Sequence, residues 1–200
     1  MPGKFVCFEG LDGAGITTQA TLVRNYLLAN DRDAILTKEP TDGLVGGIIK
    51  ACLRGEWKCS PLTLQMLYAA DRSHHLQTEI EPALKQGNIV ISDRYILSSY
   101  AYGNVDIQTQ ILEQLNNRFR KPNLTIIVDT QPRICLERIR KSRHHLELFE
   151  EEQKLNVIRK NYLALKNYFP NTHVVDGNRA PDAVFSDVKK IIDKSMRGEI

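Results

Sequence analysis

A chain of 200 residues and 22.8 kDa is long enough to bury a sizeable core in one domain of ordinary size, and 42% hydrophobic with 26% charged residues excludes a disordered or fibrous chain. A formal net charge of +3 is too small to imply a dedicated nucleic-acid surface, and no apolar run is long enough to span a bilayer. Met1-Pro-Gly-Lys4 leads directly into an apolar stretch with no basic-then-apolar signal segment, so the cytoplasm is the expected compartment. Cys7, Cys52, Cys59 and Cys135 show no C-x-x-C spacing; they are expected to be reduced and structural, any pairing of Cys52 with Cys59 being incidental.

The first element is an apolar β run from Phe5 that breaks into glycines and restarts as a helix near Gly15. Strand, glycine loop and helix make a phosphate cradle: Gly10, Gly13 and Gly15 let backbone N–H groups close on an anion, and the helix adds its positive N-terminal end. Set against the P-loop pattern G-x-x-x-x-G-K-[ST], residues 10–17 fit at both glycines and at the Thr17 hydroxyl, but Ile16 replaces the lysine.

Apolar positions Ala20, Val23, Leu27 and Leu28 predict a helix over 17–30, followed by a short strand over 34–37 and a loop over 38–43. A helix over 45–54 is weakened by Gly46 and Gly47. Ser60-Pro61 is a helix start, and the pattern carries that helix to about Ile80, with Pro82 kinking or ending it. Residues 89–92 are a continuous apolar run of the kind found in strands buried on both faces, which puts Asp93 just past a strand end.

Helical patterns over 96–102 and 107–119 precede a buried strand over 124–129 and a helix over 132–141. A basic stretch, 138–145, passes into an acidic one, 147–152; a long helix to Tyr168, a strand over 172–175 and a helix over 181–194 complete the chain. Strands alternating with helices predict an α/β fold with a five-stranded parallel sheet flanked by helices, residues 1–200 forming one domain with ligands at the carboxyl ends of the strands. His74-His75 and His144-His145 are adjacent pairs rather than i, i+4 ligands, so no zinc site is expected.

Five ordered blocks then carry a family resemblance: Phe8-Glu-Gly-Leu-Asp-Gly-Ala-Gly with Thr17-Thr-Gln19; Thr37-Lys-Glu-Pro-Thr41; Leu67-Tyr-Ala-Ala-Asp-Arg72; Asp93-Arg-Tyr95 with Ser98-Ser-Tyr-Ala-Tyr102; and Lys121-Pro-Asn-Leu-Thr125. In order and approximate spacing they resemble the thymidylate kinases, P-loop nucleoside monophosphate kinases with a three-layer sandwich fold. The resemblance runs over nearly the whole chain and implies ATP- and Mg²⁺-dependent phosphorylation of dTMP.

It also implies the following roles. The loop residues Gly10, Leu11, Asp12, Gly13, Ala14, Gly15, Ile16, Thr17 and Thr18 hold ATP, Thr17 and Asp93 hold Mg²⁺, and Arg94 bridges donor and acceptor phosphates. Arg72 and Tyr68 address the thymine, with Ser99 at the position of a small polar residue facing the base. Glu39 and Pro40, with Lys38 in place of the usual arginine, flank the acceptor phosphate. Asp12 lies near the sugar hydroxyl and Tyr102 crowds the ribose 2′ position. A lid at about 138–150 brings Arg138 to ATP and Arg143 as the catalytic arginine, an arrangement that goes with glycine at position 13; Leu148 stands where many relatives carry arginine. The resemblance further implies a homodimer, with neither a nucleic-acid nor a membrane partner. A catalytically weak or silent nucleotide-binding relative, left without the P-loop lysine, is the alternative reading of the same residues.

Overall fold

The computed structural model describes residues 3–142, 148–149 and 151–200, the side chain of Ser142 excepted. Five strands, β1 Lys4–Gly10, β2 Ala34–Lys38, β3 Ile89–Asp93, β4 Leu124–Asp129 and β5 Thr172–Asp176, pair in parallel in the order β2-β3-β1-β4-β5. The centre of the sheet falls on the chain's most apolar segments: Phe5, Val6, Cys7 and Phe8 of β1 have no solvent exposure, as expected for a strand covered on both faces.

Helices α1 Ile16–Leu28 and α9 Pro181–Arg197 pack together, joined by a 3.0 Å bond from Gln19 Nε2 to the Pro181 carbonyl and a 2.7 Å bond from the Tyr26 hydroxyl to Asp193. Helices α2 Leu44–Leu53 and α3 Pro61–His75 form a second pair, in which Ile49, Cys52 and Leu64 make a small apolar cluster of their own. The expected weakness of α2 is absent for a packing reason: a Cβ on Gly46 would lie 2.1 Å from the Thr41 carbonyl oxygen, so glycine is what lets the loop after β2 run against this helix.

Pro82 does not end the helical run. A single π turn, Leu76–Ile80, absorbs the change of register, and Pro82 sits in the first turn of α4 Glu81–Lys85, where a missing N–H is tolerated. Helices α5 Ile96–Gly103, α6 Thr109–Asn116, α7 Pro132–Ser142 and α8 Glu152–Ala164 complete the fold, with a 3₁₀ turn at Leu165–Asn167 replacing the expected helix to Tyr168. Asp93 is the last residue of β3 rather than the first beyond it, paired in register with Phe8 of β1 and Lys38 of β2. Cys52 and Cys59 lie closer than an incidental pairing implies: their sulfurs are 3.4 Å apart, both as free thiols, because the turn after α2 folds back on its last residues. No helix of the described residues is long and apolar enough to cross a membrane.

Candidate active site

The turn between β1 and α1 lies at the carboxyl end of the central strand. Gly10, Gly13 and Gly15 have φ of 155°, 76° and 98°, and the Ala14 N–H closes the turn on the Leu11 carbonyl at 3.0 Å. Leu11 and Ala14 are buried, so their side chains serve packing and only their backbone is available to a ligand. Thr17, in the first turn of α1, donates a 2.5 Å hydrogen bond to Asp93 Oδ2. Burial raises the Asp93 carboxyl above its ordinary range, opposed by the Arg94 charge and the Thr17 hydroxyl.

Arg94 occupies the crossing point of the site. Its backbone is left-handed, φ 73°, which aims the side chain back across β1. The guanidinium donates to the Gly10 carbonyl at 2.8 Å, to Asp12 Oδ1 at 2.6 Å, to Ser98 at 3.1 Å and to the Tyr162 hydroxyl at 3.3 Å, and lies 5.3 Å from the Tyr102 ring centre. Tyr102 donates to Asp12 Oδ2 at 3.0 Å. Beneath them Glu9, a buried carboxyl that no motif assignment singled out, accepts from the Tyr95 N–H at 3.0 Å and from Ser98 at 2.6 Å. Burial pushes the Glu9 carboxyl up from the usual range, with Ser98 and then Arg94 pulling it back.

Further along the cleft Arg72 is 1% exposed. It is fixed by Glu39 Oε2 at 2.8 Å, by the Ser99 hydroxyl at 3.2 Å from each terminal nitrogen, by the Tyr95 carbonyl at 3.2 Å and by Asn116 Oδ1. Glu39 in turn contacts His75 Nδ1 at 3.1 Å, and His75 Nε2 meets the Thr37 hydroxyl at 2.7 Å. The Glu39–Pro40 bond is cis. Tyr68 and Arg72, one turn apart on α3, both face the cleft, as their spacing requires. Lys38 is half-exposed and pairs with Asp42 at 3.1 Å.

The segment expected to be a lid opens as the last turns of α7. Arg138 projects from that helix onto the phosphate loop, donating to the Ala14 carbonyl at 3.2 Å and to the Gly177 carbonyl at 3.0 Å, so it ties the loop to the turn after β5. Arg143, with His144, His145, Glu147 and Glu150, lies outside the described residues. Beyond it the Leu148 N–H donates to the Leu53 carbonyl at 3.2 Å, and the Phe149 ring stands edge-on to Tyr102 with centres 5.3 Å apart.

These residues line one cleft of about 770 Å³, from Gly13, Gly15, Ile16, Thr17, Thr18 and Arg138 at one end to Tyr68, Arg72 and Ser99 at the other, with Asp12, Asp93, Arg94 and Tyr102 between. A helix N-terminus with three left-handed glycines suits an anion at the first end; an aromatic ring beside a buried guanidinium suits a planar polar group at the other. Thr17 and Asp93 are oxygen donors of the hard type that Mg²⁺ takes. Besides Glu9, the sequence motifs assign no role to Ser98, which stands in a family block, to His75, considered only as a zinc ligand, or to Tyr162 and Asn116; Glu9 is marked in the sequence as a charge inside an apolar strand.

The family model described as thymidylate kinase matches residues 8–188. A probable thymidylate kinase of Pyrobaculum aerophilum is 37% identical over 196 residues, spanning 96% of this chain and 98% of that one. One of Pyrococcus horikoshii is 35% identical over 207 residues, 99% of this chain and 100% of its own. A thymidylate kinase of Caldicellulosiruptor saccharolyticus is 34% identical over 206 residues, 98% and 99% of the two chains. With a parallel five-stranded sheet, a phosphate loop on its central strand and this extent of likeness, the chain belongs to the thymidylate kinase family.

Proposed function

We propose that the protein transfers the terminal phosphoryl group of ATP to dTMP, giving dTDP, in the cleft between the phosphate loop and the Tyr68–Arg72 face. The observation that carries this reading is the position of Arg94: its guanidinium lies between the loop carbonyl of Gly10 and Asp12, where donor and acceptor phosphates would converge. Phosphoryl transfer asks little covalent chemistry of a protein. It asks that two anions be held together, neutralised and aligned.

The backbone N–H groups of residues 10–15 receive the donor phosphates. Thr17 and Asp93 are the residues that would hold Mg²⁺, which would supply neutralisation of the phosphate charge. Arg94 exchanges a neutral carbonyl for phosphate oxygens, a change its fork geometry favours. Asp12 and Tyr102, already hydrogen-bonded, face the sugar and favour deoxyribose; Tyr68, Arg72 and Ser99 receive the base. Glu39 acts through Arg72, while Pro40 and Lys38 border the acceptor phosphate. Arg138 steadies the loop, and Arg143 is assigned the role of lid arginine by family likeness alone.

Steady-state ADP formation with dTMP, dUMP, dGMP and thymidine, together with calorimetric titration of dTMP, tests this. dTMP is expected as the preferred acceptor. Tight dTMP binding without turnover would replace this reading with that of a silent relative, and no binding at millimolar dTMP would overturn it. A second copy of the chain is the proposed partner: Leu44 and Ile48 of α2 and Leu62 and Met66 of α3 are exposed apolar side chains on one helix pair. Light scattering at micromolar concentration is expected to give twice 22.8 kDa. The cytoplasm is the compartment where such a nucleotide enzyme would act.

A further inference from the structure

We propose that Gln65 reads the imide edge of the base and is a specificity-determining residue of the acceptor site, an inference that rests on the dTMP reading above. Gln65 precedes Tyr68 by three residues and Arg72 by seven on α3, so the helical period places all three on one face, and all three line the cleft. The side chain is 4% exposed, and its Oε1 is buried with no hydrogen-bond partner among the described residues. A buried acceptor without a donor is uncommon in a folded protein and calls for an explanation; here the atom belongs to a residue of the cleft wall.

The neighbours say what the missing donor is. A Cβ built on Gly103 would lie 3.2 Å from Gln65 Cδ, so the carboxamide rests against α5 one turn beyond Ser99. Ser99 stands where the family places a polar residue toward the base, but both terminal nitrogens of Arg72 donate to its hydroxyl oxygen, at 3.2 Å each. A hydroxyl has two acceptor lone pairs, and both are occupied. Ser99 is left able to donate only. Thymine presents two carbonyl oxygens, which need donors, and one N3–H, which needs an acceptor. Ser99 donates to one carbonyl; the N–H groups of Arg72 are engaged by Glu39, Ser99, Asn116 and Tyr95, so Arg72 sets the charge beside the base and holds Ser99 in its donor role. Gln65 Oε1 is an acceptor of this wall without a donor among the described residues, available to the N3–H. Uracil offers the same edge, so Gln65 selects the imide bases as a class and does not see the 5-methyl group.

The test is calorimetric titration of the full-length protein and its Gln65→Met variant, close in volume but without the acceptor, against dTMP, N3-methyl-dTMP and ATP. The unmodified protein is expected to prefer dTMP to the N3-methyl analogue by about tenfold or more. In Gln65→Met the dTMP Kd is expected to rise about tenfold. The preference over the analogue should shrink at the same time, and the ATP Kd should stay unchanged. A dTMP affinity unchanged in the variant, or the same preference in both proteins, would overturn the proposal. Should Gln65→Met fail to fold, as shown by lost ATP binding, the comparison of the two ligands on the unmodified protein decides: equal affinities overturn it. An unmodified protein that binds no dTMP would instead remove the function reading on which the proposal stands, whereas dTMP binding with no effect at Gln65 removes the proposal alone.

Discussion

Thr17 and Asp93 are 76 positions apart in the chain and share a 2.5 Å hydrogen bond at the carboxyl edge of the sheet, the hydroxyl from the first turn of α1 and the carboxylate from the end of β3. Nothing local produces this contact; it follows from β1 and β3 being neighbours, with Phe8 in register with Asp93. Burial raises the Asp93 carboxyl, so the folded protein favours its acid form more than the unfolded chain does. The stabilising contribution is present at low pH and lost as pH rises through the raised value.

Asp93→Asn is therefore expected to melt at a higher temperature than the unmodified protein at pH 7, with the difference vanishing toward pH 4. The same change should lower Mg²⁺-dependent turnover about a hundredfold or more while leaving dTMP binding nearly intact. Thermal melts across pH with parallel ADP-formation assays check both halves. A variant that is less stable at pH 7 would contradict the account of Asp93 as a carboxylate held ionised at the expense of stability.

Arg72 and Glu39 are each almost fully buried, 1% and 3% exposed at the side chain, and 2.8 Å apart. Arg72→Ala leaves the Glu39 carboxylate with His75 alone and is expected to destabilise the fold by about 3–5 kcal/mol. Its dTMP Kd should rise far more than its ATP Kd. Adding Glu39→Gln should recover part of the stability without recovering dTMP affinity. Equal loss of both ligands in the folded double variant would sink the division of the cleft into donor and acceptor ends.

Gly13 has φ 76°, and a Cβ there would lie 2.5 Å from the Cys135 carbonyl oxygen of α7. Gly13→Ala combines a strained backbone with a collision against a helix that also carries Arg138. It is expected to cost about 2–3 kcal/mol of stability and to weaken ATP more than dTMP. Denaturant melts and paired titrations measure this; an unchanged ATP Kd would show that the loop binds without this geometry.

The sheet and the phosphate loop are legible in the sequence because their signals are local, while the acceptor end is marked only by the family resemblance of the Tyr68–Arg72 block. Apolar runs mark β1, β3 and β4, and strand-end acids, glycines at fixed spacing and the Tyr68–Arg72 interval each belong to one short segment. What stayed hidden depends on pairs of segments. Glu9 reads as a stray charge until β1, α5 and α8 bring Ser98 and Tyr162 to it. The proximity of Cys52 and Cys59 needs the turn after α2, and the π turn that carries the chain past Pro82 has no composition signature. Gly46 looked like a helix fault for the same reason: its neighbour, Thr41, approaches from another segment.

Ile16 is the position where loop and pattern disagree, and the structure shows what the isoleucine does instead. Its side chain is 5% exposed and packs beneath the loop, with Cγ2 3.2 Å from where a Cβ on Gly10 would stand. Every described cation near the phosphate end has an engagement of its own: Arg94 with Gly10 and Asp12, Arg138 with the Ala14 and Gly177 carbonyls, Lys38 with Asp42. The loop therefore retains its N–H groups and Thr17 for ATP, and among the described residues no uncommitted cation stands beside it to tighten as charge moves during transfer. Ile16 also lines the cleft, so a lysine stem following the same path would bring an amine to the donor phosphates. Ile16→Lys is expected to raise kcat about tenfold to a thousandfold and to change the dTMP Kd little, since the new charge acts on the donor. A smaller gain would mean that another cation already supplies the charge. Lys38, in register with Asp93, and the lid residue Arg143 are the two to test. Lys38→Ala or Arg143→Ala should then be more damaging in the protein with Ile16 than in the Ile16→Lys variant. If Ile16→Lys neither raises turnover nor relieves either arginine or lysine loss, the charge at position 16 is not what limits transfer.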